Sequence, residues 1–205
     1  PGKHRCLELF AGHGVELPDT PPMAVHRGRI DLLERHLRED PELFSRTFPH
    51  HAIYPPELGC HEDETLALHG TPLAGGTLLH LAVDNDEVAL LEWMLSRGAD
   101  PDARAGVDDR GFGGHTALFG CVVSQTFRVG LRRDGRLARL LLDHGADPGV
   151  RASLRKRLRF VADETWHEYR DVTPLEWGER FHDASWVNRA AVAAIRAARP
   201  IPRSR

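Results

Sequence analysis

The sequence predicts an all-α solenoid of repeated helix-turn-helix units interrupted by long finger loops. Three observations carry that prediction. The stretch "GGTLLHLAVDNDEVALLEWMLSRGADPDAR" from Gly75 holds two apolar patches, a polar turn between them and a Gly-Ala-Asp ending. The same layout recurs downstream, where Gly145, Ala146, Asp147 and Pro148 repeat Gly98, Ala99, Asp100 and Pro101. The connections between units are longer than the period requires, which places the surplus in loops.

The unit starting at Thr77 sets the pattern. Leu78, Leu79, Leu81 and Ala82 give a short apolar helix, and Asp84, Asn85 and Asp86 a turn. Val88, Leu90, Leu91, Met94 and Leu95 then recur at helical spacing, with Gly98 where a C-cap is needed. Neither helix can bury its apolar face alone, so the hairpin requires neighbours. "GHTALFGCVV" at Gly114 repeats the first helix, and "LARLLLDHGADPGV" at Leu137 the second with its ending. A later copy, "DVTPLEWGERF" from Asp171 with "VNRAAVAAIRAA", lacks the Gly-Ala-Asp ending, as suits a capping unit. Upstream, "TPPMAVHRGRIDLLERHL" from Thr20 places Ala24, Gly28, Ile30, Leu32, Leu33 and Leu37 in register. Before it, "CLELFAGHGVEL" reads as the outer helix and glycine stop of a still earlier unit, so the chain is expected to begin inside a repeat. The expected divisions are a partial repeat at 1–18, a repeat with a long insertion at 19–76, a repeat at 77–115, a repeat with insertions at 116–172, a terminal capping repeat at 173–199 and a tail at 200–205. All belong to one domain.

These residues resemble the ankyrin repeat family, whose unit of about 33 residues opens with Thr-Pro-Leu-His-x-Ala and closes with Gly-Ala-Asp. The resemblance is strong from Thr77 and Thr116 and weaker at both ends. It implies that Thr77, His80, Thr116 and Thr173 are structural, joining successive turns by hydrogen bonds. Phe119 and Glu176 stand where the family has His, and Pro22 with Met23 replaces the opening pair of the first full unit. At those places the polar bonding between repeats is in question.

The insertions distinguish this chain. Relative to the standard period the excess is about 25 residues within 45–76, about 6 at 103–115 and about 16 at 151–172, all on the finger side, with about 8 more in 124–136 on the opposite edge. The first, "FSRTFPHHAIYPPELGCHEDETLALHGTPLAG", is rich in His and Pro and reads as a semi-rigid loop rather than a helix. The second, "ARAGVDDRGFGGH", has a glycine-rich tip around Phe112. In the third, "LRKRLRFV" and "TWHEYRDV" are expected as the two arms of a β-hairpin.

Bulk properties narrow the function. The 205 residues are 41% hydrophobic and carry a net charge of −3, which fits a globular chain with no global pull toward nucleic acid or anionic lipid. There is no run of 18 apolar residues and no signal-peptide core at "PGKHRCLELF", so neither a membrane span nor export is expected. Cys6, Cys60 and Cys121 lie far apart and point to a reducing, cytoplasmic setting. Lys3 and Lys156 are the only lysines, an Arg bias that suggests a GC-rich, bacterial source.

Chemistry of other kinds is thin. Cys60, His61, Glu62, Asp63, Glu64 and His69 are metal-binding types, yet no Cys-x-x-Cys or His-Glu-x-x-His spacing accompanies them. Cys121 falls at the small position matching Ala82 and reads as core. No nucleophile elbow, phosphate loop or dinucleotide fingerprint occurs, so no enzyme activity, metal or cofactor is expected.

The expected function is therefore a non-catalytic scaffold that binds another protein through its concave surface and fingers. Candidate contacts are Tyr54 and His61 on the first finger, Arg110 and Phe112 on the second, and Arg155, Arg157, Trp166 and Tyr169 on the third. The alternative is nucleic-acid binding through Arg151, Arg155, Lys156, Arg157 and Arg159, a run of cations without an acid. Against it, the same cations can pair with Asp163, Glu164, Glu168 and Asp171 on the returning arm.

Overall fold

The computed structural model describes residues 3–58, 69–125 and 134–198. Helix α1 (Lys3–Gly12) precedes a series of helical hairpins: α2 (Pro21–His26) with α3 (Ile30–Glu39), α5 (Leu78–Asp84) with α6 (Val88–Ser96), α7 (Ala117–Val122) with α8 (Arg136–Asp143), and α9 (Pro174–Arg180) with α10 (Arg189–Ala197). The first helices pack in sequence, α2 on α5, α5 on α7 and α7 on α9; among the second helices α6 packs on α8 and α8 on α10. One continuous core results, running from Ala24 and Leu33 through Leu79, Leu91 and Leu118 to Trp177 and Ile195.

Each hairpin begins with an extended threonine at the N-cap position. Thr20 Oγ1 accepts from the Met23 N–H at 3.3 Å, and proline at the first helical position spares an orphan donor. Thr77 donates its backbone N–H to His80 Nδ1 at 3.0 Å, which leaves Nε2 as the protonated nitrogen, donating to the His115 carbonyl at 3.1 Å. That second bond ties one hairpin to the finger of the next. Both hairpin ends carry a glycine in the left-handed region, Gly98 at φ 91° and Gly145 at φ 93°, where a side chain would be strained. The following alanines close the turn, Ala99 N–H to the Met94 carbonyl and Ala146 N–H to the Leu141 carbonyl, both at 3.0 Å. Asp102 Oδ1 then accepts from the Asp147 N–H at 2.9 Å, a further link between successive endings.

The substituted positions behave differently from one another. Phe119 cannot replace the His hydrogen bond, and the Thr116 hydroxyl is left buried without a partner among the described residues. Glu176 does replace it locally: Thr173 N–H donates to Glu176 Oε2 at 2.8 Å and Glu176 N–H to Thr173 Oγ1 at 3.2 Å, a reciprocal capping box. Arg151 of the preceding finger adds an ion pair to Glu176 at 3.1 Å. Polar bonding between neighbours therefore persists at Glu176 in ionic form.

One expectation is refined and one corrected. The fold is mainly helical with a small sheet: the third insertion, expected as a β-hairpin, forms an antiparallel pair of β1 (Ala152–Lys156) and β2 (His167–Val172). Leu154 pairs with Tyr169 and Lys156 with His167, with a register irregularity between Ala152 and Leu154. Burial alternates along the chain from Ala152 to Arg159, but the ladder stops at Lys156. The first insertion is not purely loop: it contains helix α4 (His50–Ile53) between 3-10 turns at Leu43–Ser45 and Pro56–Leu58. α4 forms because Ile53 buries its side chain, at 1% exposure, beside α2, and His26 Nε2 donates to the Ile53 carbonyl at 2.7 Å. The excess assigned to 124–136 lies mostly outside the described residues.

Candidate binding groove

The three fingers are joined side by side through their backbones. Phe48 N–H donates to the Gly76 carbonyl at 2.9 Å, Gly106 N–H to Gly75 at 2.8 Å, and Gly113 N–H to Ser153 at 2.7 Å. Arg104 reinforces the last junction by donating to the carbonyls of Gly114 and Arg151 at 3.0 and 3.1 Å. Gly113 is required there, since a Cβ would sit 1.9 Å from the Gly106 carbonyl oxygen and φ is 122°.

Between the fingers lies a half-open groove of about 580 Å³, within the size range of sites that hold small ligands or short chain segments. Its first wall comes from Pro49, His50 and Pro72, its second from Val107, Asp108 and Phe112, and its third from Leu154, Arg155 and Trp166. Asp108 organises the mouth. Its Oδ1 accepts the N–H groups of Arg110 and Phe112, at 3.0 and 2.8 Å, which curls the second finger. Its Oδ2 accepts from Arg155 Nη2 at 3.0 Å, which binds the second finger to the third.

A ladder of cations and rings runs along this rim. Arg157 and Arg155 lie 5.4 and 5.5 Å from the Trp166 ring centroid, and Arg155 and Arg170 lie 5.2 and 4.2 Å from that of Phe112. The two guanidiniums on Phe112 explain its low exposure of 6% despite a position near a finger tip. Trp166 and Val107 stay open, at 54% and 64% exposure.

The sequence-derived contact residues therefore divide. Phe112, Arg155 and Trp166 line the groove, Arg157 stands at its rim against Trp166, and Arg110 is exposed on the second finger. Tyr54 is not a surface residue: it is 7% exposed and packs beside His26 and His50. Tyr169 is likewise corrected to the core, at 5% exposure. It packs edge-on to Trp177 at 4.7 Å, donates its hydroxyl proton to His182 Nδ1 at 2.7 Å and accepts the His182 backbone N–H at 2.9 Å. Burial holds the Tyr169 phenol above its ordinary pKa. His61 lies outside the described residues. Sequence reasoning missed Asp108 and Val107; the turn-forming run "DDRG" was the available signal for Asp108.

The basic run is mostly paired. Arg151 contacts the Asp171 carbonyl and carboxylate and Glu176; Arg155 meets Asp108, and Arg159 meets Glu164 at 3.3 Å. Lys156 is buried on the inward face of β1, at 4% exposure, and cannot reach a phosphate. Asp163 turns instead to His167 Nε2 at 2.8 Å and to Thr165, whose hydrogen bonds hold its carboxyl down to about 2. Among the described residues no group of three or more His, Cys, Asp or Glu side chains could hold a metal ion, and no helix is long and apolar enough to cross a membrane.

Helical hairpins with capped openings, glycine stops and finger-to-finger pairing define a repeat protein that presents a groove. The sequence model of the ankyrin repeat matches residues 74–105, so the unit comprising α5, α6 and its Gly-Ala-Asp ending is an ankyrin repeat. No match was found among curated proteins. Ankyrin repeats generally mediate protein–protein interaction and are typically non-catalytic.

Proposed function

We propose that the chain is a non-catalytic binding module whose fingers engage a segment of another protein. Its hairpins are read as one ankyrin-type solenoid, with the repeat divisions expected from the sequence. The observation that carries this reading is the groove: three separate insertions converge on one cleft, and backbone hydrogen bonds hold them there. An insertion without a role would add ordering cost at each finger, whereas a shared groove gives all three a common use. Trp166 and Val107 remain exposed on a rim whose other aromatic, Phe112, is covered. Exposed aromatic side chains beside arginines are the composition of interface anchors.

A photo-crosslinking residue at position 107 tests this, with one at exposed Arg139 on the outer helix α8 as control. In cells of the source organism a defined protein adduct is expected from 107 and not from 139. Equal labelling from both positions, or none from 107, refutes the groove as the binding face.

A further inference from the structure

The chemistry of the rim narrows the partner, given the reading of the groove as a protein-binding site. We propose that the groove receives an extended acidic segment of a partner protein, with carboxylates at alternate positions meeting Arg155 and Arg157.

The donors needed for this are present and incompletely used. A guanidinium offers five N–H groups. Arg155 gives one of them to Asp108, whose other oxygen is committed to two backbone N–H groups of its own finger. Asp108 therefore positions Arg155 without saturating it. Arg157 has no ion pair among the described residues, and its Nε is buried without a hydrogen-bond partner. The guanidinium N–H groups of Arg157 other than Nε are the donors left for a carboxylate. Trp166 packs against both guanidiniums and limits their motion. A planar fork held by a ring is suited to a carboxylate.

Spacing then selects an extended ligand. Arg155 and Arg157 lie two residues apart on the same face of a chain whose burial alternates through Arg159. Side chains on one face of an extended chain repeat every ~6.6 Å. A partner running alongside presents every second residue at that same repeat, so acids at alternate positions meet both arginines in turn. The open Val107 surface receives an apolar residue of such a segment.

Charge balance disfavours a nucleic acid here. Arg151 and Arg159 are paired within the chain, Lys156 is inward, and Asp108 and Glu168 flank Arg155. A polyphosphate needs several free cations and meets these acids; a short run of spaced carboxylates needs only two receptors.

The test is selection from a displayed random dodecapeptide library against the full chain, followed by binding of the selected peptides, made synthetically, to wild type, Arg157→Gln and Arg157→Glu. Peptides with Asp or Glu at alternate positions are expected, weakened about tenfold by Arg157→Gln. Replacing by Lys only the acid that meets position 157, with the acid facing Arg155 kept, should restore binding to Arg157→Glu, a rescue that a folding defect cannot mimic. Thermal unfolding of each variant confirms the fold. Selected peptides without acidic bias that still compete with the crosslinked partner at position 107 overturn the acidic assignment while the protein-binding reading stands. Failure to select any peptide, while the adduct at 107 forms, also overturns it, and failure of both removes the underlying reading. Tighter binding of a dodecamer of single-stranded DNA, lost in Arg157→Gln, assigns the rim to nucleic acid instead.

Discussion

Replacing His80 by Gln isolates the contribution of one buried imidazole to the pH dependence of stability. His80 is 4% exposed, and its two nitrogens are committed to Thr77 and His115. Burial first, and the neighbouring His115 second, push its pKa down from 6.5 to about 3. In the unfolded chain His80 takes up a proton near its ordinary pKa; in the folded chain it resists protonation until about pH 3. Its stabilising share is therefore whole above about pH 6.5 and is lost as pH falls toward 3. At 1.36 kcal/mol per pH unit, two units below the unfolded value remove about 2.7 kcal/mol by pH 4.5. Gln carries both an acceptor and a donor, so it can keep the contacts to Thr77 and His115 without titrating. Urea denaturation followed by far-ultraviolet circular dichroism at pH 7 and pH 4.5 measures the effect. The stability difference between wild type and His80→Gln should shift by about 2.7 kcal/mol in favour of the variant on going to pH 4.5. Parallel pH profiles for the two proteins would refute the assignment of a neutral, buried His80.

Three further outcomes are expected from the same structure. Gly113→Ala should lower stability by about 2–4 kcal/mol and loosen the fingers, whereas Gly111→Ala, with open space around its Cβ, should cost only ~1 kcal/mol; thermal melts compare them. Thr173→Val should cost about 1 kcal/mol through loss of its cap, while Thr116→Val should be neutral or stabilising because its buried hydroxyl has no partner among the described residues; equal losses would contradict the capping account. Exposed Cys6 should react with a maleimide in the native protein and buried Cys121, whose thiol is held well above its ordinary pKa by desolvation, only after urea is added, as peptide mapping by mass spectrometry can show.

The helical hairpins were legible because their burial is periodic and local. Leu90, Leu91, Met94 and Leu95 show the buried face of α6 directly in sequence, and Gly98 and Gly145 mark ends whose geometry only glycine adopts without strain. Helix α4 was not legible. Four residues carry no period, and its formation depends on the contact of Ile53 and His26, which lie 27 positions apart. The two hairpin arms were visible as alternating stretches, but Phe160, at φ 60°, takes the chain out of extended conformation beyond the paired strands. Exposure of the aromatics was the least legible property. Tyr54, Phe112, Tyr169 and Trp166 all sit in insertions, and their fates depend on what another finger or helix places above them. Arg155 and Arg170 cover Phe112, and Trp177 with His182 encloses Tyr169.

The groove places its polar control point on Asp108 rather than on any arginine. That carboxylate accepts three hydrogen bonds, two that shape its own finger and one that joins it to the third, so its loss acts on geometry and charge together. Asp108→Asn preserves a carbonyl acceptor for the backbone N–H groups but removes the charge that holds Arg155. If charge alone governs the groove, this variant frees a cation and strengthens acidic-peptide binding at low salt. If Asp108 acts mainly by positioning, as its three bonds indicate, the released Arg155 swings away from Trp166 and binding weakens. The rim arrangement favours the second outcome, because Arg155 is flanked by the Trp166 and Phe112 rings and held in place by Asp108 alone among the described carboxylates. Titration of Asp108→Asn with a selected acidic peptide at two salt concentrations separates the two: a higher affinity at low salt would show that Asp108 competes with the ligand for Arg155 instead of presenting it.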